Sequence, residues 1–466
     1  MSMQSKTSLS AMEHFMKIVI IGLGTIGRAV LDSLSRDEHT ITIIDENRDK
    51  VENLIERYDV FGVVGNGASL AIQKEAHVKD ADLVIALTDS DELNILACVT
   101  AEKTGAKSTV ARVRNPDYTK QIEMMRDELG ISMIVNPEKE TADEIYRLIN
   151  LPSLSQIEHF ANGRVLLVEV TITKDCALFG ESLVSMKRHF NTKVLVCAVQ
   201  RGDDVFIPEA SYMFEIGDKI HFTSDAASLR TFLSEAHFVN SPIRNVMIVG
   251  GGRMGYYLAD ELSKKKYKVK LIESDKETAE KLADQLPRVT IIHGNGTRHD
   301  VLVEEGIEAM DAFVALTDTD EENMVVSMFA NKMKVKKVFT KIRSSDLDDI
   351  IDELGITNTV SPREIVASKI NSYIRAISNR RGSNVLTLHR LVDDRIEALE
   401  FSAKKQSRFY DKPLSTLKIK KECLIACILR GDEVIIPDGS TSIQLGDNVI
   451  VATTHKDFDD LTDIFN

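Results

Sequence analysis

The stretch KIVIIGLGTIGRAVLDSL, residues 17–34, decides the fold of the first part of this chain. An apolar run of strand character leads into a glycine-rich turn, and a stretch of helical character follows. The turn has the spacing Gly22-x-Gly24-x-x-Gly27, which is the fingerprint of a βαβ unit that binds a dinucleotide at the start of its helix. A single GxGxxG motif is weak evidence, but this one lies between a strand and a helix, as the fingerprint requires.

The same stretch occurs a second time, as NVMIVGGGRMGYYLADEL at 245–262. Two further blocks repeat in the same order. VIALTDSDELN (84–94) returns as FVALTDTDEEN (313–323), and RGDDVFIPEASYMFEIGDKI returns as RGDEVIIPDGSTSIQLGDNV at 430–449. The offset is 228 residues for the first block and 229 for the other two, so the chain is a duplicated multi-domain half rather than a short-period repeat.

Each half divides into two parts by its pattern of apolar residues. The first part alternates short apolar runs with amphipathic stretches, which is typical of βαβ units and a parallel sheet. The second part is richer in short strands and turn signals, which favours a small α+β domain. We therefore predict an α/β fold of two tandem Rossmann-like, doubly wound parallel-sheet domains, each followed by a small α+β domain.

The predicted boundaries follow from these patterns. They are 1–15 for a polar N-terminal extension, 16–136 and 241–362 for the Rossmann-like domains, 137–159 and 363–383 for linking helices, and 160–240 and 384–466 for the small domains. The linking helices have apolar faces that need a partner, from the same half or from another subunit.

Composition limits the class of protein. The 466 residues include 58 Lys and Arg against 72 Asp and Glu, a net charge of −14 that argues against binding to nucleic acid. No apolar run approaches the roughly 20 residues that a membrane-spanning helix needs. The N-terminus lacks the apolar core of a secretory signal, and the five cysteines are scattered and odd in number. We therefore expect buried, reduced thiols in a cytoplasmic protein.

An acidic residue follows each glycine turn at the predicted end of the second strand. Asp45 lies 23 residues after Gly22, and Glu273 lies 23 residues after Gly250. A carboxylate there can accept hydrogen bonds from ribose hydroxyls and would repel a 2′-phosphate, so NAD is favoured over NADP. The turns supply backbone N–H groups for phosphate at the positive end of a helix. The alternative is a Rossmann turn that is kept for packing alone.

Further candidates lie in the loops after the third, fourth and fifth strands, which should line the crevice at the carboxyl edge of the sheet. Thr88 and Thr317 can bond a base or a ribose, although TDSDE and TDTDE are also the pattern of helix N-caps with acids in the first turn. Arg112 and Lys341 are either phosphate contacts or solvated cations at strand ends. The sequence leaves both pairs of alternatives open.

No catalytic set accompanies these fingerprints. The sequence has no GxxxxGK[ST] motif, its eleven histidines are dispersed, and no nucleophile, proton donor or metal-ligand spacing stands out. We therefore predict a protein that binds a nucleotide without being an enzyme and that holds no metal. Two alternatives remain, an NAD-dependent oxidoreductase with duplicated domains and a scaffold whose nucleotide sites are dead.

This chain resembles the tandem RCK (also called KTN) family, the peripheral regulatory subunits of bacterial Trk potassium uptake systems. The resemblance is carried by KIVIIGLGTIG with Asp45, by LTDSDELN, ARVRNPDY and the RGD…IP…GD pattern, and by the repeat of each. It implies a cytoplasmic protein, peripheral on the inner membrane, that forms a homotetrameric ring of eight RCK units. The ring would gate a potassium-translocating subunit of the TrkH or TrkG kind.

The resemblance also implies that the Rossmann-like domains bind NAD(H), or ATP and ADP, and it makes the small domains a candidate for a second regulatory ligand site, a question that the sequence leaves open. The fingerprint, the loops after the strands and the resemblance together give the candidate contacts. In the first half they are Gly22, Leu23, Gly24, Thr25, Ile26, Gly27, Asp45, Asn66, Thr88, Asp89 and Arg112. In the second half they are Gly250, Gly251, Gly252, Arg253, Met254, Gly255, Glu273, Asn295, Thr317 and Lys341. Lys341 keeps the charge of an arginine but loses its bidentate fork.

Overall fold

A computed structural model gives the fold. It describes residues 16–35, 39–115, 118, 121, 128–150, 156–160, 164–190, 193–202, 204–238, 243–265, 267–344, 351, 354, 356, 358–379, 385–391, 395–403, 407–431, 433–455, 458 and 460–465. The predicted N-terminal extension lies outside these residues, and so does Asp203 of the RGD…IP…GD pattern. Contacts group the chain into two compact units, Met1–Ile149 with Ile243–Tyr373 and Asn150–Pro242 with Ile374–Asn466.

The strands fall into four groups along the chain. The first Rossmann-like domain has β1 (Lys17–Ile21), β2 (Thr40–Asp45), β3 (Phe61–Val64), β4 (Leu83–Ala86), β5 (Thr109–Arg112) and β6 (Met133–Val135). The first small domain has β7 (Gln156–Phe160), β8 (Val165–Thr171), β9 (Leu195–Arg201), β10 (Asp204–Phe206) and β11 (Lys219–Asp225). The second Rossmann-like domain has β12 (Asn245–Val249), β13 (Lys268–Glu273), β14 (Thr290–His293), β15 (Ala312–Ala315), β16 (Lys337–Lys341) and β17 (Thr359–Val360). The second small domain has β18 (Val385–Leu391), β19 (Ile396–Ser402), β20 (Cys423–Arg430), β21 (Glu433–Ile435) and β22 (Asn448–Thr453).

The α-helices of the described residues alternate with these strands. The first half has α1 (Thr25–Leu34), α2 (Arg48–Arg57), α3 (Leu70–Glu75), α4 (Asp91–Thr104), α5 (Pro137–Asn150), α6 (Leu183–His189) and α7 (Ala226–Glu235). The second half has α8 (Arg253–Lys264), α9 (Lys276–Gln285), α10 (His299–Glu304), α11 (Asp320–Lys332) and α12 (Pro362–Asn379).

The two Rossmann-like sheets have the same topology. Their strand orders are β3-β2-β1-β4-β5-β6 and β14-β13-β12-β15-β16-β17, and the recorded pairs within each are parallel. This 3-2-1-4-5-6 order is that of a doubly wound nucleotide-binding sheet, which confirms the predicted fold class. The central strand β1 is buried from Ile18 to Ile21, as expected for a parallel strand whose two faces are both covered by helices.

The linking helix α5 belongs to the first half of the chain but packs on the Rossmann-like domain of the second half. Its residues Ala142, Ile145 and Ile149 belong to one core cluster with the strands β12, β13 and β15. Lys369 of α12 forms an ion pair with Glu140 of α5. The apolar face of α5 therefore packs against the other half of the same chain. The sequence analysis predicted a partner in the same half or in another subunit, so it did not include this arrangement.

The second unit contains the two small antiparallel sheets, ordered β10-β9-β11-β8-β7 and β18-β19-β22-β20-β21. One core cluster contains residues of both sheets, among them Cys197 of β9 and Cys427 of β20. β7 belongs to the first of these sheets, so the sheet begins at Gln156 and includes residues that the predicted boundary at 160 assigned to the linking segment.

The RGD…GD pattern of the small domains is explained by an ion pair between a partly exposed arginine and a buried aspartate. Arg201 donates through Nε and Nη2 to the two carboxylate oxygens of Asp218, at 2.7 and 2.8 Å. Arg430 and Asp447 repeat this bidentate pair at 3.0 and 2.9 Å. Gly217 has a φ of +88°, which lets the turn place the aspartate under the arginine. The arginine and the second aspartate of the pattern therefore have a structural role in both small domains.

The cysteines do not form disulfides in this structure. Cys98, Cys176, Cys197 and Cys427 are buried, and Cys423 is half-buried. Burial raises the pKa of Cys98 to about 12. Among the described residues, no cluster of three His, Cys, Asp or Glu side chains is arranged to hold a metal ion. Within the same residues, no helix is long and apolar enough to cross a bilayer.

Replacing Asp311 by alanine should destabilise the second Rossmann-like domain, because this carboxylate joins three strands. It accepts the backbone N–H groups of Arg244 and Asn245 at 2.9 and 3.0 Å, and the ammonium group of Lys336 at 2.8 Å. Losing these charge-assisted bonds should lower the free energy of unfolding by about 2–3 kcal/mol at neutral pH. Urea denaturation of the variant measures this.

The same residue gives this prediction a pH dependence. Burial alone would raise the pKa of Asp311, but the bonds from Lys336 and from the backbone lower it from 3.8 to about 2. Because the folded pKa is the lower one, the stabilisation is present above about pH 4 and is lost as the pH falls toward 2. The difference in the free energy of unfolding between the variant and the wild type should therefore become smaller as the pH is lowered. The exposed Asp300→Ala is the control, and an equal effect of both changes would refute the account.

Candidate functional site

The first glycine turn is shaped by two close backbone approaches. Gly22 has a φ of +91°, and a Cβ there would lie 2.7 Å from the backbone nitrogen of Thr88. A Cβ on Gly27 would lie 2.0 Å from the carbonyl oxygen of Gly22. At Gly24, by contrast, a Cβ would meet no atom within 4 Å. The first and third glycines of the turn therefore pack tightly against backbone atoms. The second glycine faces open space, where a pyrophosphate would approach in a fold of this kind.

The second glycine turn has the same geometry. Gly250 has a φ of +107°, and a Cβ on it would lie 2.6 Å from the carbonyl oxygen of Leu316. A Cβ on Gly255 would lie 2.1 Å from the oxygen of Gly250, whereas Gly252 faces open space. Gly24 and Gly252 are the N-caps of α1 and α8 and have no side chain to cap the helix. The backbone N–H groups of each first turn therefore stay available to an anion.

The two predicted ribose acids lie against the glycine turns. Asp45 accepts the N–H of Leu23 at 2.7 Å with Oδ2 and the N–H of Asn47 at 2.9 Å with Oδ1. Glu273 accepts the N–H of Gly251 at 2.7 Å in the same way. Each carboxylate thus braces the turn, a role that the sequence analysis did not predict. Each oxygen has a second lone pair, so the bracing bonds are compatible with a ribose contact.

Thr88 and Thr317 are held by asparagines that the sequence analysis missed. The backbone N–H and the hydroxyl of Thr88 both donate to Oδ1 of Asn94, at 2.8 and 2.7 Å. Asn94 Nδ2 donates to the carbonyl oxygens of Thr88 and Arg112. Asn323 repeats these contacts with Thr317 and the carbonyl oxygen of Lys341. The threonine hydroxyl protons are therefore used within the protein and only their lone pairs face a ligand.

The helix-cap interpretation is confirmed for TDSDE, whereas Thr319 of TDTDE is the N-cap of α11 without a side-chain cap bond. The hydroxyl of Ser90 accepts the N–H of Leu93 at 3.2 Å, and Asp91 lies in the first turn of α4. Asp91 accepts the backbone N–H groups of two residues that follow β5, and Asp320 does the same after β16. The side chain of Asp89 points outward and is 96% exposed.

The asparagines after the third strands of the two sheets form local turns. Asn66 Oδ1 accepts the N–H of Ala68 at 2.9 Å, and Asn295 Oδ1 accepts the N–H of Thr297 at 2.9 Å. Both side chains are exposed at the carboxyl edge of their sheets. Their contact with a nucleotide therefore remains a prediction.

Arg112 and Lys341 are buried, so the alternative of solvated cations at strand ends is wrong. They are 8% and 7% exposed. The nearest acceptors of Arg112 Nη1 are the carbonyl oxygen of Leu87 and a carboxylate oxygen of Asp89, both at 3.5 Å. Lys341 Nζ lies 3.4 Å from the carbonyl oxygen of Leu316. Burial lowers the pKa of both groups, and a nearby anion would offset this cost.

The two glycine turns of the first unit border one cavity, which we call the inter-domain cavity. Its volume is about 420 Å³, and its lining includes the first residues of α1 and of α8. The charged lining residues are the cations Arg112, Arg114, Arg253, Lys341, Arg343 and Arg363 and the acids Glu138 and Asp318. Six cations against two acids leave a balance of four positive charges. The sequence analysis predicted a crevice at the carboxyl edge of each sheet but did not predict a cavity lined by both domains.

Family models match most of each half. The TrkA-N domain matches residues 18–137 and 246–362, and the TrkA-C domain matches 167–237 and 398–466. Fold and site therefore define a tandem protein of two Rossmann-like domains, each followed by a small antiparallel-sheet domain. The chain belongs to the TrkA family of Trk system potassium uptake proteins, as the resemblance in its sequence implied.

Curated relatives match the chain over nearly its whole length. A Trk system potassium uptake protein TrkA from Halomonas elongata is 32% identical and covers 95% of this chain and 96% of its own. TrkA homolog 1 from Methanosarcina mazei is also 32% identical, over 94% of this chain and 97% of its own. These names are those of potassium uptake proteins and not of enzymes, which confirms the prediction of a protein that is not an enzyme.

Solved structures share the architecture at low sequence identity. The GsuK RCK domain is 16% identical, with a TM-score of 0.60 over 96% of this chain and 94% of its own. The GsuK channel bound to NAD is also 16% identical, with a TM-score of 0.60 over 96% of this chain and 78% of its own. At this identity the likeness shows the RCK fold.

Proposed function

We propose that this chain is a nucleotide-sensing regulatory subunit of a potassium uptake system. Four copies form a cytoplasmic ring of eight RCK units on the inner face of the membrane, against a potassium-translocating subunit of the TrkH or TrkG kind. NAD(H), or ATP and ADP, bind at the two glycine turns and shift the ring between shapes that open or close the translocating subunit. The relatives' names support the potassium system, and GsuK provides a related fold with NAD bound.

One observation carries the proposal: two glycine turns, each braced by an acid, open onto the same cationic cavity. The N–H groups at the start of α1 and α8 suit phosphate, and the acids beside them suit a ribose. Because residues of both halves line the cavity, a ligand in it contacts both Rossmann-like domains. A ligand that binds one arrangement of the two domains better than another shifts their population, which is the physical requirement for a switch.

The test is potassium flux through the reconstituted complex of the full chain and its membrane subunit. We expect NADH or ATP to change the flux about 5- to 150-fold, the range that a coupling of about 1–3 kcal/mol gives. Asp45→Ala should weaken the response and the exposed Asp49→Ala should leave it unchanged. Equal flux with and without each nucleotide would remove the regulatory role.

A further inference from the structure

The buried ammonium group of Lys337 lies against the C-terminal end of the linking helix α5. Lys337 begins β16 and is 7% exposed, and its Nζ donates to the carbonyl oxygen of Leu148 at 2.7 Å. The carbonyl oxygen of Ile149 lies 3.5 Å from the same nitrogen. Resting on the proposed function, we propose that Lys337 is a positioning residue that transmits the state of the inter-domain cavity through α5 to the small domains.

The first argument is that this contact satisfies the end of a helix. The last carbonyl groups of an α-helix have no partner within the helix, and they carry the negative end of its dipole. α5 ends at Asn150, so Leu148 and Ile149 belong to its last turn, where a cation is favourable. Burial lowers the pKa of Lys337 to about 8, because an ammonium group is costly to bury. The helix end offsets part of this cost, which ties α5 to the strand.

The second argument is that one face of β16 joins the end of α5 to the cavity. Side chains at every second residue of a strand lie on the same face, so Lys337, Phe339 and Lys341 share one face of β16. Phe339 belongs to the same core cluster as Ile145 of α5, and Lys341 lines the cavity. Glu138, near the start of α5, lines the cavity as well. The strand and the helix therefore both reach the cavity at one end and contact each other at the other end.

These contacts extend from the cavity to the point where the chain leaves the first compact unit. From Lys337 to Lys341 the strand spans about 13 Å, and from Glu138 to Ile149 the helix spans about 16 Å. Ile149 is the last residue of its segment of the first unit, and the second unit begins at the next residue. Because a strand and a helix move as rigid elements, a shift of either one at the cavity also moves the chain that enters the small domains.

The third argument comes from a comparison of the two halves. KSTVARV (107–113) corresponds in the repeat to KKVFTKI (336–342), so Ser108 has the place of Lys337 in the first half. The cation at the carboxyl end of the strand is kept, as Arg112 and Lys341. The sheet itself therefore does not require a lysine at the start of this strand. The lysine is a feature of the second half, where it holds the helix that comes from the first half.

The test compares Lys337→Met with the wild type, each as the full chain reconstituted with its membrane subunit. Methionine keeps the apolar length of the side chain and removes the ammonium group. We expect the ratio of potassium flux with and without NADH or ATP to fall about 2- to 30-fold, the range for a residue that carries coupling between sites. The affinity of the isolated full chain for each nucleotide should stay within about twofold, because Lys337 lies at the far end of β16 from the cavity.

Hydrogen exchange of the full chain gives a second readout, which a merely stabilising role of Lys337 would not change. In the wild type, nucleotide should alter the exchange rates of the amides of β7, the first strand after α5. In Lys337→Met this alteration should be lost. The control is Lys332→Met, the same substitution at an exposed lysine of the same domain, and it should respond as the wild type does in both measurements.

The outcomes separate this inference from the proposed function. A wild-type response of Lys337→Met in either readout overturns the inference and leaves the proposed function standing. A loss of nucleotide affinity as large as the loss of response also overturns it, because Lys337 would then act on binding. A wild type whose flux is the same with and without each nucleotide overturns both. If Lys337→Met does not fold, Lys337→Ser, which introduces the residue of the first half, is measured in its place with the same expected results.

Discussion

Gly27→Ala is expected to disrupt the first glycine turn and to remove nucleotide binding from the first half. The new Cβ would lie 2.0 Å from the carbonyl oxygen of Gly22, far inside van der Waals contact. The clash is with backbone, so no side chain can rotate to relieve it, and α1 must move away from β1. Overpacking of a core usually costs about 1–3 kcal/mol, and we expect the upper end or more here. Urea denaturation measures the loss.

Gly24→Ala is the matched control for this prediction. It changes a glycine of the same turn, at a φ of −73° and with no atom within 4 Å of the new Cβ. Its free energy of unfolding should stay close to that of the wild type. Gly255→Ala should reproduce the large loss in the second half, because its Cβ would lie 2.1 Å from the oxygen of Gly250. Similar stabilities of the Gly27 and Gly24 variants would contradict this explanation of the motif.

Asn94→Ala is expected to have a comparably large effect, because one buried side chain holds two loops of the site. Asn94 is fully buried and bonds the N–H, hydroxyl and carbonyl of Thr88 and the carbonyl of Arg112. Truncation leaves these buried groups without their partner, at about 1–3 kcal/mol each before relaxation. We expect a loss of roughly 3–5 kcal/mol in the free energy of unfolding. Calorimetric unfolding of the full chain measures it.

Nucleotide affinity should fall together with stability in this variant, since Asn94 fixes the carboxyl end of the strand that carries Arg112. Asn323→Ala should behave in the same way in the second half. The control is Asn331→Ala, on an exposed part of α11, which should change stability by no more than about 0.5 kcal/mol. If Asn94→Ala were as mild as this control, the asparagine would not organise the site.

Local spacing was sufficient to predict the fold class and the positions of the glycine turns. A strand, a tight turn at Gly22 and a helix that must approach closely at Gly27 leave few alternatives within a short stretch. The acids at the ends of β2 and β13 follow from the same rule, because one strand-turn-helix-strand unit has a nearly constant length. The repeat then predicted the second domain pair from the first.

The remaining features depend on contacts between distant parts of the chain. The sequence shows that Arg112 ends a strand, but not that neighbouring loops bury it. The sequence has Asn94 in LTDSDELN and Asn323 at the same place in LTDTDEEN, and this repetition could have pointed to the two asparagines. Spacing alone does not show that their side chains turn inward. The packing of α5 on the other half depends on tertiary structure that no local pattern encodes. The inter-domain cavity is lined by residues of both Rossmann-like domains, so its prediction would have required the same tertiary structure.

The most direct test of nucleotide sensing is binding at the two glycine turns. It is measured by titration calorimetry of the full chain with NADH and with ATP. We expect saturable binding that involves both halves. Asp45→Ala and Glu273→Ala should each weaken the site of their own half about 10- to 100-fold, through the loss of hydrogen bonds to a charged group, and the double variant should bind neither nucleotide. Circular dichroism would verify that each variant is folded. Absence of binding to the wild type for NADH, NAD, ATP and ADP alike would contradict the account.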